Sequence, residues 1–134
     1  MEGNLLNKII SGSNIEPPKL INDVFLKEFK NAMNTEWYIK EDIYEAVFYL
    51  NEIEHIVHYN NSGVLIDKRK NLLIKDIPKY IEEVASNKGE IMNAVEISYL
   101  QDEPKYNIIV RNSELNRFML LINNGGIIVE EKML

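Results

Sequence analysis

His55 and His58 are the only histidines of the chain, and no cysteine accompanies them. Three apart in the alternating run EHIVHY, they point to opposite faces of a strand. They cannot grip one metal ion from a straight strand, and no thiolate can complete a zinc site. Both are expected to be surface or core-edge histidines, with no metal. The acidic neighbours Glu82-Glu83, Asp102-Glu103 and Glu130-Glu131 are the next candidates. A catalytic dyad needs convergent carboxylates with separated pKa values. The first pair falls on the polar side of a helix and the second in a loop before Pro104. The third occupies adjacent strand positions that point apart. All read as solvated acids. The runs NNSGVL and NNGGII suggest phosphate loops, but a phosphate cradle opens a helix. Here each joins strand to strand, so Gly63 and Gly126 are turn glycines. Ser11, Ser13, Ser62, Ser86, Ser98 and Ser113 lie in no nucleophile elbow. Trp37 shares the parity of Ile39 and reads as core rather than as a stacking platform. The expectation is a protein that is not an enzyme and carries no cofactor.

Composition narrows the partners. With 46% hydrophobic and 27% charged residues, the chain of 134 can bury a core without staples. A formal charge of −6 argues against nucleic acid, whose binders need basic surface. It offers no attraction to an anionic membrane, and no run approaches the length of a spanning helix. The absence of cysteine excludes disulfides and thiolate nucleophiles.

The elements that must position any site follow from hydrophobic period. A flexible segment is expected at residues 1–16. From Pro18 to about Met33, Leu20, Ile21, Val24, Phe25, Phe29 and Met33 recur at three and four, the stripe of a helix. The period then becomes two through EWYIK, IYEAVFYL, EHIVHY and VLIDKR, with turns at Lys40–Asp42, Asn51-Glu52 and Asn60–Gly63. A second helix opens at Pro78 and ends at Asn87–Gly89. Strands follow near Ile91–Tyr99, Lys105–Arg111, Leu115–Ile122 and Ile127–Lys132. PKLINDV at 18 matches PKYIEEV at 78, Tyr44 matches Tyr106, and the two Asn-Asn-x-Gly turns match as well. The chain therefore reads as two tandem α-β-β-β-β repeats, residues 17–76 and 77–134, in one domain. The fold class is α+β, with one antiparallel sheet of about eight strands and both helices on one face.

A Pro-started helix, a Trp, Y-x-A-x-F, and Y-N-N-S-G closing the third strand resemble the PepSY-like proteins, which share the fold of the β-lactamase inhibitory protein. Pro18, Trp37, Tyr44, Ala46, Phe48 and Gly63 carry the match in the first copy. Pro78, Tyr106, Ile108, Val110 and Gly126 carry it in the second. The resemblance spans about Pro17 to Lys132. It implies a bacterial periplasmic or secreted protein without enzymatic activity, which binds or inhibits other proteins. In that inhibitor the open sheet face and protruding loops meet the target. The inhibitor's disulfides have no counterpart here, and no motif matches its contact loop. The opening MEGNLLNKIISGSNIEPP lacks the pattern of a secretory signal, which keeps a cytoplasmic location open.

Strand parity then defines a candidate surface. If Tyr44, Ala46 and Phe48 face the helices, Tyr38, Val47, Tyr49, Ile56, His58, Ile109, Met119 and Leu121 share the open face. That face is half apolar, with the aromatic and methionine content of interfaces. It is expected to bind a protein partner or a second copy, with loops 102–105 and 112–114 beside it. The alternative is a small-ligand or envelope-stress sensing domain with a pocket between sheet and helices.

Overall fold

The computed structural model describes residues 15–134. The segment expected to be flexible, 1–16, lies outside them except for Ile15 and Glu16. In the first repeat, helix α1 (Lys19–Glu28) precedes strands β1 (Met33–Lys40), β2 (Ile43–Leu50), β3 (Ile53–Asn60) and β4 (Leu65–Asn71). In the second, a single 3-10 turn (Ile74–Asp76) leads into α2 (Lys79–Ser86). Strands β5 (Glu90–Tyr99), β6 (Lys105–Arg111), β7 (Arg117–Ile122) and β8 (Ile128–Met133) follow. The fold is α+β, and its eight strands follow chain order in one antiparallel sheet.

Neither helix has a side-chain N-cap bond; each instead starts from a proline, Pro18 or Pro78, whose ring fixes φ. α1 is shorter than its hydrophobic spacing suggests. It ends at Glu28, the Ala32 N–H bonds the Phe29 carbonyl, and Met33 already belongs to β1. Met33 fits the helical stripe only by number, because three-four spacing cannot distinguish a last turn from the residue opening a strand. β7 begins at Arg117 rather than Leu115, because Leu115 sits in a tight turn at φ +68°.

That turn completes a set of three. The Asn60 side-chain oxygen accepts from the N–H groups of Ser62 and Val64 at 2.9 and 3.0 Å. Asn123 does the same for Gly125 and Ile127, and Asn112 for Glu114 and Asn116. The left-handed position is Gly63 (φ +83°) in one and Gly126 (φ +84°) in another, whereas Leu115 holds it in the third. An asparagine that replaces backbone acceptors with its own amide oxygen is what all three hairpins share.

Each repeat builds its own core between its helix and one face of its strands. The first is aromatic. The Phe25 ring centre lies 5.2 Å from that of Trp37 and 5.0 Å from that of Phe48, both edge-on. The second is aliphatic, with Ile77, Ile81 and Ala85 over Ala94, Ile108, Val110, Leu120 and Ile122. Sheet register makes the positions equivalent. Trp37 pairs with Ala46 in the first repeat where Ala94 pairs with Ile108 in the second. Large and small side chains have exchanged places.

Candidate functional site

The face of β1–β4 turned away from α1 carries a row of directly paired residues. Tyr38 lies opposite Glu45, Glu45 opposite His58, and His58 opposite Asp67. His58 Nε2 is 3.0 Å from Glu45 Oε2, and His58 Nδ1 is 2.8 Å from Asp67 Oδ1. Arg69, two residues along β4 on the same face, donates from Nε to Asp67 Oδ1 at 3.4 Å. Glu45 is 0% exposed, His58 4% and Asp67 7%, so three ionisable groups sit out of water. The row below it runs Glu36, Val47, Ile56 and Arg69. The Tyr38 hydroxyl donates down to Glu36 Oε1 at 2.7 Å.

Burial favours the neutral imidazole, but hydrogen bonds to Asp67 and Glu45 and the charge of both carboxylates outweigh it. The pKa of His58 is held at about 9. Burial likewise disfavours the Asp67 carboxylate, but His58 and Arg69 pull its pKa below the usual value. With that pKa the ring is imidazolium at neutral pH, and each of its two N–H groups then faces a carboxyl oxygen. His55, on the other face, is different: burial pushes its pKa down, and its ring stacks on Phe48 at 5.4 Å.

Linkage fixes a pH signature. His58 titrates higher in the folded than in the unfolded chain. Its contribution is therefore complete below the unfolded value of 6.5 and is lost as pH rises through about 9. Chemical denaturation from pH 7 to pH 10 is expected to show a loss on the order of 2–3 kcal/mol. The loss should be absent from a His58→Gln variant. Asp67 acts in the opposite direction: its contribution is present above the unfolded value of 3.8 and fades as acid protonates it in the folded state.

Beside this row is a concavity of about 340 Å³ lined by Lys40, Glu41, Ile43, His58, Ile66, Asp67 and Arg69. A second, of about 610 Å³, lies between the end of α1 and the strand ends, lined by Phe29, Lys30, Met33, Leu50 and Asn51 among others. In the second repeat a third, of about 460 Å³, lies between the β5–β6 loop at Gln101–Lys105 and the turn at Asn123–Gly125. Among the described residues no group of three His, Cys, Asp or Glu side chains is placed to hold a metal ion.

No protein-family model matches the chain, and no curated protein matches it in sequence. Solved structures do. A DUF2874 family protein from Bacteroides ovatus superposes with a TM-score of 0.79 at 16% identity, covering 89% of each chain. A proposed periplasmic protein from Bacteroides eggerthii gives 0.80 at 14%, over 89% of this chain and 90% of that one. A BLIP-like protein from Bacteroides fragilis gives 0.75 at 19%, over 90% of this chain and 88% of its own. The fold is BLIP-like. At these identities the likeness concerns the backbone alone.

Within the BLIP-like sheet, the eight residues expected to form an open binding face divide by exposure. Tyr38, Val47, Ile56 and His58 are buried although they point away from α1. Tyr49 is 38% exposed, and Ile109, Met119 and Leu121 are half-buried. Glu45, Asp67 and Arg69 join them from outside the expected set. The expected surface or core-edge histidine at position 58 is instead the buried centre of an ionic row. Register offered a signal. The Asn51-Glu52 turn lies at equal distance from Glu45 and His58, so a two-residue hairpin sets them opposite each other. Asp67 was less accessible, because a register shift between His58 and Tyr59 displaces β4.

The second repeat holds the same rows with other residues. Val95, Asn107, Leu121 and Glu130 stand where the first has Tyr38, Glu45, His58 and Asp67. A BLIP-like repeat therefore closes without a histidine between two carboxylates.

Proposed function

We propose that the protein is a non-catalytic protein-binding module of inhibitor type. It would receive its partner on the exposed residues that rim the first repeat's face turned away from α1, Lys40, Glu41 and Tyr49, around a buried centre. The observation that carries this reading is the ionic row Glu45–His58–Asp67–Arg69, present in one repeat and replaced in the other. A buried ion network is seldom more stabilising than apolar packing of equal volume, so stability alone does not account for it. What the row does is fix side chains. His58, Asp67 and Arg69 of the row line the concavity together with the exposed Lys40 and Glu41. Tyr49 stands exposed on the same face. Preorganised charge at one end of this face and an exposed aromatic at the other suit selective protein recognition. Half-buried Ile109, Met119 and Leu121 would contribute in the second repeat. A periplasmic or secreted location is proposed with this role, supported by the family resemblance and by the neighbour from Bacteroides eggerthii. No helix among the described residues is long and apolar enough to cross a membrane.

The test uses exposed positions only. Lys40→Glu and Tyr49→Ser are expected to keep the thermal midpoint and weaken capture of a partner from the source cell by at least about tenfold. Undiminished capture by both variants would discard the reading. A second reading, a small-ligand sensor, draws on the 610 Å³ concavity at the end of α1. It predicts that extracts stripped of macromolecules still raise the thermal midpoint.

A further inference from the structure

The two outer strands of the sheet are treated differently. Along β1, the Ile15 N–H donates to the Trp37 carbonyl at 2.8 Å, so part of that edge is already occupied. β8, at the other end of the strand order, has no described residue bonded to its outer side. Glu130 through Met133 are exposed without interruption, and Val129 and Met133 are 52% and 60% exposed. Such an edge is a template for another strand.

Its sequence selects the strand. The Leu134 N–H points into the sheet, to the Arg117 carbonyl. By alternation Lys132 and Glu130 also turn their backbone groups inward, and Glu131 and Met133 turn theirs outward. Two copies of β8 can pair antiparallel only where outward residues meet outward residues. This places the two-fold axis on a residue and not between residues. An axis at Glu130 sets Glu130 against itself, and an axis at Lys132 sets Lys132 against itself. An axis at Glu131 sets Glu130 opposite Lys132 of the second copy, twice. Val129, the extra residue at the register shift of β8 between Ile128 and Glu130, stays outside this ladder. The charged pairs then occupy the non-hydrogen-bonded sites, where side chains approach most closely. Glu131 meets its own copy, but Lys88 already holds it within its own repeat at 3.3 Å.

We propose that β8 is a self-association edge: a second copy of this chain adds antiparallel to it, with the axis at Glu131. The contact joins second repeat to second repeat and is independent of the partner face proposed for the first. Sedimentation at about 100 µM protein should show a dimer. Glu130→Lys and Lys132→Glu should each weaken it about tenfold, and the double exchange should restore it, because the opposite charges face each other again. Glu131→Pro removes the outward N–H on the axis without touching the β7 ladder and should give a folded monomer. Amide exchange at Glu131 should slow as concentration rises. A monomeric wild type, or a dimer indifferent to Glu131→Pro and to both charge reversals, would overturn the assignment. So would a monomer that adds an unrelated extended peptide along β8.

Discussion

His58→Leu is expected to destabilise the protein by about 3–5 kcal/mol, and a second change, Glu45→Asn, to return more than half of that loss. The leucine is no misfit in shape, since Leu121 holds the equivalent position in the second repeat. What the substitution removes is the cation between two buried carboxylates. Glu45 is then left in a fully buried site without the ring that faces it at 3.0 Å, and Asp67 keeps only the longer contact with Arg69. Glu45→Asn copies Asn107 and replaces the buried carboxyl with a neutral amide. The double variant then reproduces the pairing of Asn107 with Leu121, which this fold already builds. The single variant should also flatten the acid limb of the stability profile. Burial raises the Asp67 pKa and Arg69 alone then lowers it, so Asp67 should contribute less to the loss of stability as pH falls. Urea denaturation of both variants at pH 5 and pH 7 measures both effects. A His58→Leu loss within about 1 kcal/mol would mean that the row is not ionised in the folded protein.

The same comparison shows how far the sequence could be read. The repeats were legible because prolines, asparagine turns and parity recur, and these depend on residues close in the chain. Helix and strand faces followed, since a period of two or 3.6 needs no knowledge of neighbours. Trp37, Ala46, Phe48, Val57 and Tyr59 all lie in the core of the first repeat where parity placed them. The ionic row was not legible from parity, which assigned Val47 and His58 to the open face but could not say that the face is buried there. Burial depends on what lies across a strand and beyond it, and no local pattern encodes that. The third asparagine turn was hidden for a different reason: Leu115 occupies a left-handed position that sequence assigns to glycine.

The largest effect outside the ionic row should come from Phe25→Ala, at about 3–5 kcal/mol. Phe25 is 1% exposed and touches three other aromatic rings, so its removal opens a cavity that rigid neighbours cannot fill. The second repeat shows how the fold accommodates alanine at this point. Ala85 stands on α2 where Phe25 stands on α1, and Ile108 fills the sheet position held by Ala46. Ala46→Ile alone should overpack the first core and cost about 1–3 kcal/mol. Combined with Phe25→Ala, it directs a branched side chain into the new space. The double variant should then be more stable than the sum of the two losses by at least about 1 kcal/mol. A purely additive pair would mean that the two sites do not share a cavity, and that the exchange of large and small residues between the repeats is not compensatory. Coupling of the expected sign would show that each repeat keeps its helix-to-sheet spacing by conserving volume rather than residue type. The sheet face turned away from the helix would then be free to carry the ionic row in one copy and the mixed row Val95, Asn107, Leu121 and Glu130 in the other.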